Sequence, residues 1–145
     1  MSAQEYHRIL AAQMSEEALD REVRGLLDAL GLGLWRVHLP DGTGGYVPGF
    51  TDLEIVGYGT TLYRELKSES GRLSPYQRAF MERLRYNGAD VDVWRPRDWY
   101  SRRIHRELEA VAGPVEVQAL ERQRHARFKA EVRKRGSRRG FRRSA

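Results

Sequence analysis

The chain has 145 residues, room for one domain of about 100 residues with its own core and some chain to spare. It has no cysteine, which excludes disulfides and thiolate zinc sites, and no apolar run near the roughly 20 residues that span a bilayer. The net charge of +6 is uneven: residues 121–145 hold eleven Lys/Arg against two Asp/Glu, a net of +9, and the first 120 hold fifteen against eighteen, a net of −3. A basic C-terminal segment on an acidic body points to a polyanion partner. The four histidines are scattered with no H-E-x-x-H spacing, which points away from a histidine metal site. The N-terminus lacks a signal-peptide pattern, and a soluble intracellular protein is the expectation.

Residues 3–13 can form a first helix. Ser15 is a good N-cap for a second, Glu16 to Leu30, with Leu19, Val23, Leu26, Leu27 and Leu30 as its buried stripe. Gly31 and Gly33 end it. Leu34 to Leu39 alternates like a strand, which makes Trp35 a core residue. Pro40 to Gly49 carries four glycines and two prolines and reads as a loop; without G-K-[ST] it is no phosphate-binding loop, and no nucleotide cofactor is expected. Tyr46 in this loop is a candidate for base stacking or for covering the core.

Two apolar runs follow, Phe50 to Val56 and Thr60 to Leu66, joined by Gly57-Tyr58-Gly59. They predict a β-hairpin. On a strand, Glu65 and Lys67 share a face, and the hairpin can fold Asp52 back beside them. Two carboxylates and an ammonium then meet, and carboxylate oxygens are what a hard ion such as Mg²⁺ prefers. The plain alternative for such charges is a solvated strand face. Ser74 caps a helix with Pro75 in its first turn, ending near Asn87-Gly88, with Ala79, Phe80, Leu84 and the stem of Arg83 toward the sheet. Ser74 and Gln77 also have the spacing of a capping box. Asp90 to Trp94 is the next strand, with Trp94 in the core. Pro96 breaks the chain, Tyr100 to Val111 reads as helix, Gly113-Pro114 breaks it, and Val115 to Lys134 reads as helix again. From Gly136 the chain reads as disordered. The fold class is α/β, in the order helix, strand, strand, strand, helix, strand, with two helices appended.

Four ordered pieces, Gly49-Phe50-Thr51-Asp52-Leu53, Glu65-Leu66-Lys67, Gly71-Arg72-Leu73-Ser74-Pro75-Tyr76-Gln77 and the closing stretch from Gly88 to Trp94, make residues 15–97 resemble the VRR-NUC family of the PD-(D/E)xK nuclease superfamily. Thr51 stands where the family usually has proline. The resemblance implies a restriction-endonuclease-like core, α-β-β-β-α-β, with a mixed sheet flanked by helices. Residues 1–97 would be that core, 98–135 a helical extension and 136–145 a basic tail. It implies Mg²⁺, or Mn²⁺, on Asp52, Glu65 and the Leu66 carbonyl, with Lys67 activating water and Gln77 near the metal. The superfamily usually adds an acid from the first core helix; Asp20 is the choice by its place at the edge of the apolar stripe, with Glu16 as alternate and Glu17 and Glu22 also present. Arg72 and Tyr76 flank the site as possible substrate contacts. Arg133, Lys134, Arg135, Arg138 and Arg139, and Arg142-Arg143 beyond them, are expected to bind phosphates without reading sequence. The implied activity is a metal-dependent DNA endonuclease on branched DNA, resembling small homodimeric Holliday-junction resolvases of phage or bacteria that act in the bacterial cytoplasm. The alternatives are a flap or nicking endonuclease, an exonuclease, or a non-catalytic nucleic-acid-binding protein.

Overall fold

The structure, a computed structural model, describes residues 1–38 and 49–143. The expected loop from Pro40 and its Tyr46 fall outside them, apart from Gly49. Two N-terminal helices, α1 (Ala3–Gln13) and α2 (Glu16–Ala29), start at Ser2 and Ser15, whose side chains accept from the backbone N–H three residues on. A short 3₁₀ turn, Gly33–Trp35, leads into β1 (Arg36–His38). Then come β2 (Leu53–Val56), β3 (Thr61–Leu66), α3 (Pro75–Tyr86) and β4 (Asp90–Trp94). Three helices finish the chain: α4 (Pro96–Tyr100), α5 (Arg103–Val111) and α6 (Val115–Arg143).

The four strands lie in chain order in one mixed sheet. β1, β2 and β3 are antiparallel neighbours, and β4 returns parallel to β3 after crossing through α3. Leu53, Ile55, Leu62, Leu66 and Trp94 lie on one face with Leu19, Val23 and Leu27 of α2 and Ile104 and Leu108 of α5. Each fully buried leucine or isoleucine here contributes about 1.5–3 kcal/mol. Because strand residues alternate, Tyr63, Glu65 and Lys67 point to the other face, which α3 covers. Among the described residues no helix is long and apolar enough to cross a membrane.

The buried side holds a polar surprise. Arg64 is only 2 % exposed. Its Nη2 lies 2.8 Å from both Asp90 Oδ1 and Glu107 Oε1, and its guanidinium stacks 5.3 Å from the Trp94 ring. Arg103 bridges Asp92 at 2.6 Å and Glu107 at 2.9 Å. A guanidinium suits such burial because it is planar and weakly hydrated, with five donors to satisfy. The network ties α5 to the edge of the sheet.

Several expectations need correction. The stretch 34–39 opens with the 3₁₀ turn, and Trp35 is 39 % exposed rather than core. Its Nε1–H donates to Glu121 Oε2 at 2.6 Å and holds α6. In α3 the inward stripe is Gln77, Phe80, Met81 and Leu84, with Met81 buried, while Ala79 and Arg83 face solvent. Pro96 does not break the chain; it opens α4, where the Asp98 carboxylate accepts from the Arg95 N–H at 2.8 Å. The break falls at Arg102, in the left-handed region with φ 66°. Finally, α6 runs on past Lys134 and through Gly136 to Arg143.

Candidate active site

β2 and β3 pair with Leu53 opposite Arg64, so the chain just before β2 sets Asp52 across from Glu65. Opposed residues share a face, and this face is the one under α3. The Leu66 N–H donates to Asp52 Oδ2 at 2.8 Å, and the Asp52 N–H donates to Glu65 Oε2 at 3.2 Å. Lys67 Nζ stands 3.3 Å from Glu65 Oε1. The hairpin thus gathers Asp52, Glu65 and Lys67.

Gln77 arrives from the first turn of α3. Its Nε2–H donates to Glu65 Oε1 at 2.7 Å, while its Oε1 accepts from the Ser74 N–H at 2.9 Å. The Gln77 N–H in turn donates to Ser74 Oγ at 3.1 Å, completing the capping box. One amide therefore closes the helix cap with its oxygen and reaches Glu65 with its nitrogen. Gly49 makes this approach possible. Its φ is +80°, and a Cβ there would run into the backbone of Tyr76 and Gln77. Phe50 packs edge-on against Phe80 with centroids 5.2 Å apart. Thr51, at the usual proline position, is buried, and its hydroxyl donates to the Leu53 carbonyl at 3.4 Å.

Glu65 is 1 % exposed. Burial pushes its carboxyl up to about 8; the Asp52 charge beside it adds to the rise and Lys67 works against it. A buried carboxyl forced to share space with a second one is unfavourable when both ionise. A hard divalent cation relieves that repulsion, so the donor set fits one. Asp52 and Glu65 would hold it, with the Leu66 carbonyl as a further oxygen. Among the described residues no group of three or more His, Cys, Asp or Glu is arranged to hold a metal ion. Water would complete the coordination, as is usual for Mg²⁺.

Asp20 is ion-paired with Arg24 on its own helix at 2.6 Å. Glu16 and Glu17 sit in the first turn of α2, and Glu22 is exposed. Arg72 is exposed just ahead of α3. Arg133, Lys134, Arg135 and Arg138 are exposed along α6; the Arg139 side chain falls outside the described residues. Among the described residues α6 docks through its N-terminal half: besides the Trp35–Glu121 bond, Arg122 donates to the Ala29 carbonyl at the end of α2 at 2.9 Å.

Sequence reasoning missed the clamp on the loop after Lys67. Arg95 Nη1 donates to the carbonyls of Ser68, Gly71 and Glu69 at 2.6, 2.8 and 3.3 Å. The Glu69 carboxylate accepts from the Arg97 N–H at 2.7 Å and from its Nε–H at 2.9 Å. This fixes the segment between Lys67 and the Ser74 cap. The available signal was Pro96 with Asp98 two residues later, a helix start that sets Arg95 at its mouth. A cleft of about 680 Å³ between α1 and α4 opens off the same loop, lined by His7, Arg8, Glu69, Arg97 and Tyr100 among others. No family model, no curated protein and no solved structure matches the chain.

Proposed function

We propose that the chain is a metal-dependent DNA endonuclease with a restriction-endonuclease-like core, related to the VRR-NUC nucleases, that hydrolyses phosphodiesters in branched DNA. One observation carries the reading: Asp52 and Glu65 are opposed across a hairpin, with Lys67 on the same face and Gln77 donating to Glu65 from the following helix. The sheet order, three antiparallel strands and a fourth parallel to the third, supports it.

In this reading Asp52, Glu65 and the Leu66 carbonyl would hold a Mg²⁺ or Mn²⁺ ion, which would supply Lewis acidity at the phosphate and a lowered water pKa. The protein's part is positional and electrostatic. Gln77 and the Asp52 N–H hold the two Glu65 oxygens in fixed directions. The Leu66 N–H does the same for Asp52. Lys67 stabilises the negative charge that accumulates on the phosphoryl oxygens and positions the attacking water. Water oxygen bonds to phosphorus, one P–O ester bond breaks with its electron pair staying on the leaving ester oxygen, and the proton the water gives up is balanced by one that this oxygen takes from solvent to become a free hydroxyl. The exposed basic half of α6 would grip phosphates with a strong salt dependence. A homodimer acting in the cytoplasm is part of the proposal, since a two-fold junction needs two symmetric cuts and a C₂ pair supplies them.

The exposed basic residues Arg133, Lys134, Arg135 and Arg138 of α6 also favour a second reading, a nucleic-acid-binding protein without turnover, because phosphate contacts need no catalytic site. One experiment separates the two. A labelled four-way junction, a matched duplex and a flap are incubated with Mg²⁺, Mn²⁺ or EDTA, for wild type and Asp52→Ala. Paired metal-dependent cuts on the junction, lost in Asp52→Ala, are expected. Cutting of flap or linear DNA instead keeps the nuclease and removes the resolvase. Binding without any cutting selects the second reading.

A pair of substitutions isolates Gln77. Ser74→Ala and Gln77→Ala each break the capping box and lower stability by about 1 kcal/mol. Only Gln77→Ala takes a donor from Glu65, so only it is expected to weaken Mn²⁺ binding in calorimetry. Equal metal affinity in the two variants would reduce Gln77 to a helix cap.

A further inference from the structure

α3 covers the sheet with one side and leaves the other in water. On the wet side stand two tyrosines, Tyr76 at 67 % and Tyr86 at 89 % exposure. At 100° per residue, Tyr76, Ala79, Arg83 and Tyr86 fall within an arc of about 80°, and the rise of 1.5 Å per residue sets the two tyrosines about 15 Å apart along the axis. Residues 72–86 contain four arginines and one glutamate, all exposed, in a body whose first 120 residues carry a net of −3. An aromatic and basic strip thus lies on an otherwise acidic body. It starts at the candidate site, because Tyr76 precedes the Gln77 that touches Glu65.

We propose that this face of α3 is a platform for an unpaired DNA strand, with Tyr76 and Tyr86 stacking on bases and Arg83 and Arg72 meeting phosphates. Base faces are open to a tyrosine ring only where the strand is unstacked, which selects a single strand over a duplex. Arginine spaced between the rings matches the alternation of base and phosphate along such a strand. Small Ala79 between Tyr76 and Arg83 leaves the strip free of a bulky side chain. The proposal rests on the nuclease reading in one respect, that the strand leads from the Asp52–Glu65 site.

The test is fluorescence anisotropy in EDTA with a labelled oligothymidine and a duplex of equal length. Proteins are wild type, Tyr76→Ala, Tyr86→Ala, the double variant and the two Tyr→Phe counterparts. Both tyrosines are exposed, so the fold is expected to hold, and circular dichroism checks it. Each alanine is expected to weaken single-strand binding about fivefold or more, the double variant further, with phenylalanine restoring it and duplex affinity unchanged. Unchanged strand affinity, equal loss on duplex, or no strand binding by wild type overturns the platform. So does loss of a dimer in sedimentation instead of loss of strand affinity, which would assign the face to a second copy. Because the assay needs neither metal nor turnover, the two readings fail separately. A protein that cuts DNA but ignores these tyrosines keeps the metal site and loses the platform. A protein that cuts nothing yet loses strand affinity through them keeps the platform and loses the nuclease.

Discussion

On the proposed nuclease reading, Lys67→Ala is expected to slow single-turnover cleavage by about 10²- to 10⁴-fold and to leave DNA affinity close to wild type, the range expected for loss of a positioned acid–base group. Lys67 Nζ lies 3.3 Å from a Glu65 carboxylate and is largely shielded from solvent. Its charge would therefore be weakly screened at the point where, on this reading, the phosphate gains negative charge. On the same reading bulk DNA affinity would have other sources, above all the exposed arginines of α3 and α6. Binding and turnover are thus expected to separate. Lys67→Arg is expected to recover little, because a planar guanidinium places its charge and donors differently from a compact ammonium. The measurement is a quenched-flow or hand-quenched time course at saturating protein on whichever DNA wild type cuts, beside an equilibrium titration. Cleavage within about threefold of wild type for Lys67→Ala would remove Lys67 from the mechanism, since that is far below an acid–base contribution.

The parts of the fold set by local chemistry were legible in the sequence. Ser15 and Ser74 cap helices because a hydroxyl can accept an orphan N–H two or three residues on, a relation that needs no knowledge of the rest of the chain. The Gly57-Tyr58-Gly59 turn placed Asp52 beside Glu65 for a similar reason: once a hairpin forms, its register follows from the turn and the alternation of faces. The dual contacts of Gln77 follow from a capping box that happens to start beside a strand end.

What was not legible depended on partners far away in sequence. Nothing in the local sequence marks Arg64 for burial, which Asp90, Glu107 on α5 and the Trp94 ring make tolerable. Trp35 leaves the core because Glu121, 86 residues away, accepts its indole N–H. In α3, apolar Ala79 and Met81 compete for the inward face, and the helix turns to bury the larger side chain. The Arg95 clamp joins three carbonyls that no periodicity marks. Gly49 was read as the end of a loop, yet its missing Cβ is what lets the Asp52 segment lie against α3.

The metal-free protein is expected to lose stability as pH rises from about 5 to 9, and Glu65→Gln is expected to remove most of that loss. The carboxyl is held up to about 8 in the fold, first by burial and then by Asp52. The folded chain therefore binds this proton more tightly than the unfolded chain does. Its stabilising effect is complete below the unfolded pKa, near 4.3, and is lost as pH climbs through about 8. The size is on the order of a few kcal/mol. Melting curves in EDTA for wild type and Glu65→Gln test this. Groups remote from the site contribute equally to both curves, so the difference reports Glu65 and the two charges coupled to it, Asp52 and Lys67. The glutamine variant is expected to be the more stable at pH 9, with the gap closing toward pH 5. Mg²⁺ or Ca²⁺ is expected to raise the wild-type melting temperature most at the alkaline end, because the ion binds the carboxylate form and displaces the proton. The variant is expected to respond little. A side chain that costs stability in the empty site and recovers it on a cation is what a metal ligand requires, whereas a purely structural acid would gain nothing from the ion. Parallel curves for wild type and Glu65→Gln from pH 5 to 9, with or without the cation, would show that Glu65 is an ordinary carboxylate and would take the metal site with it.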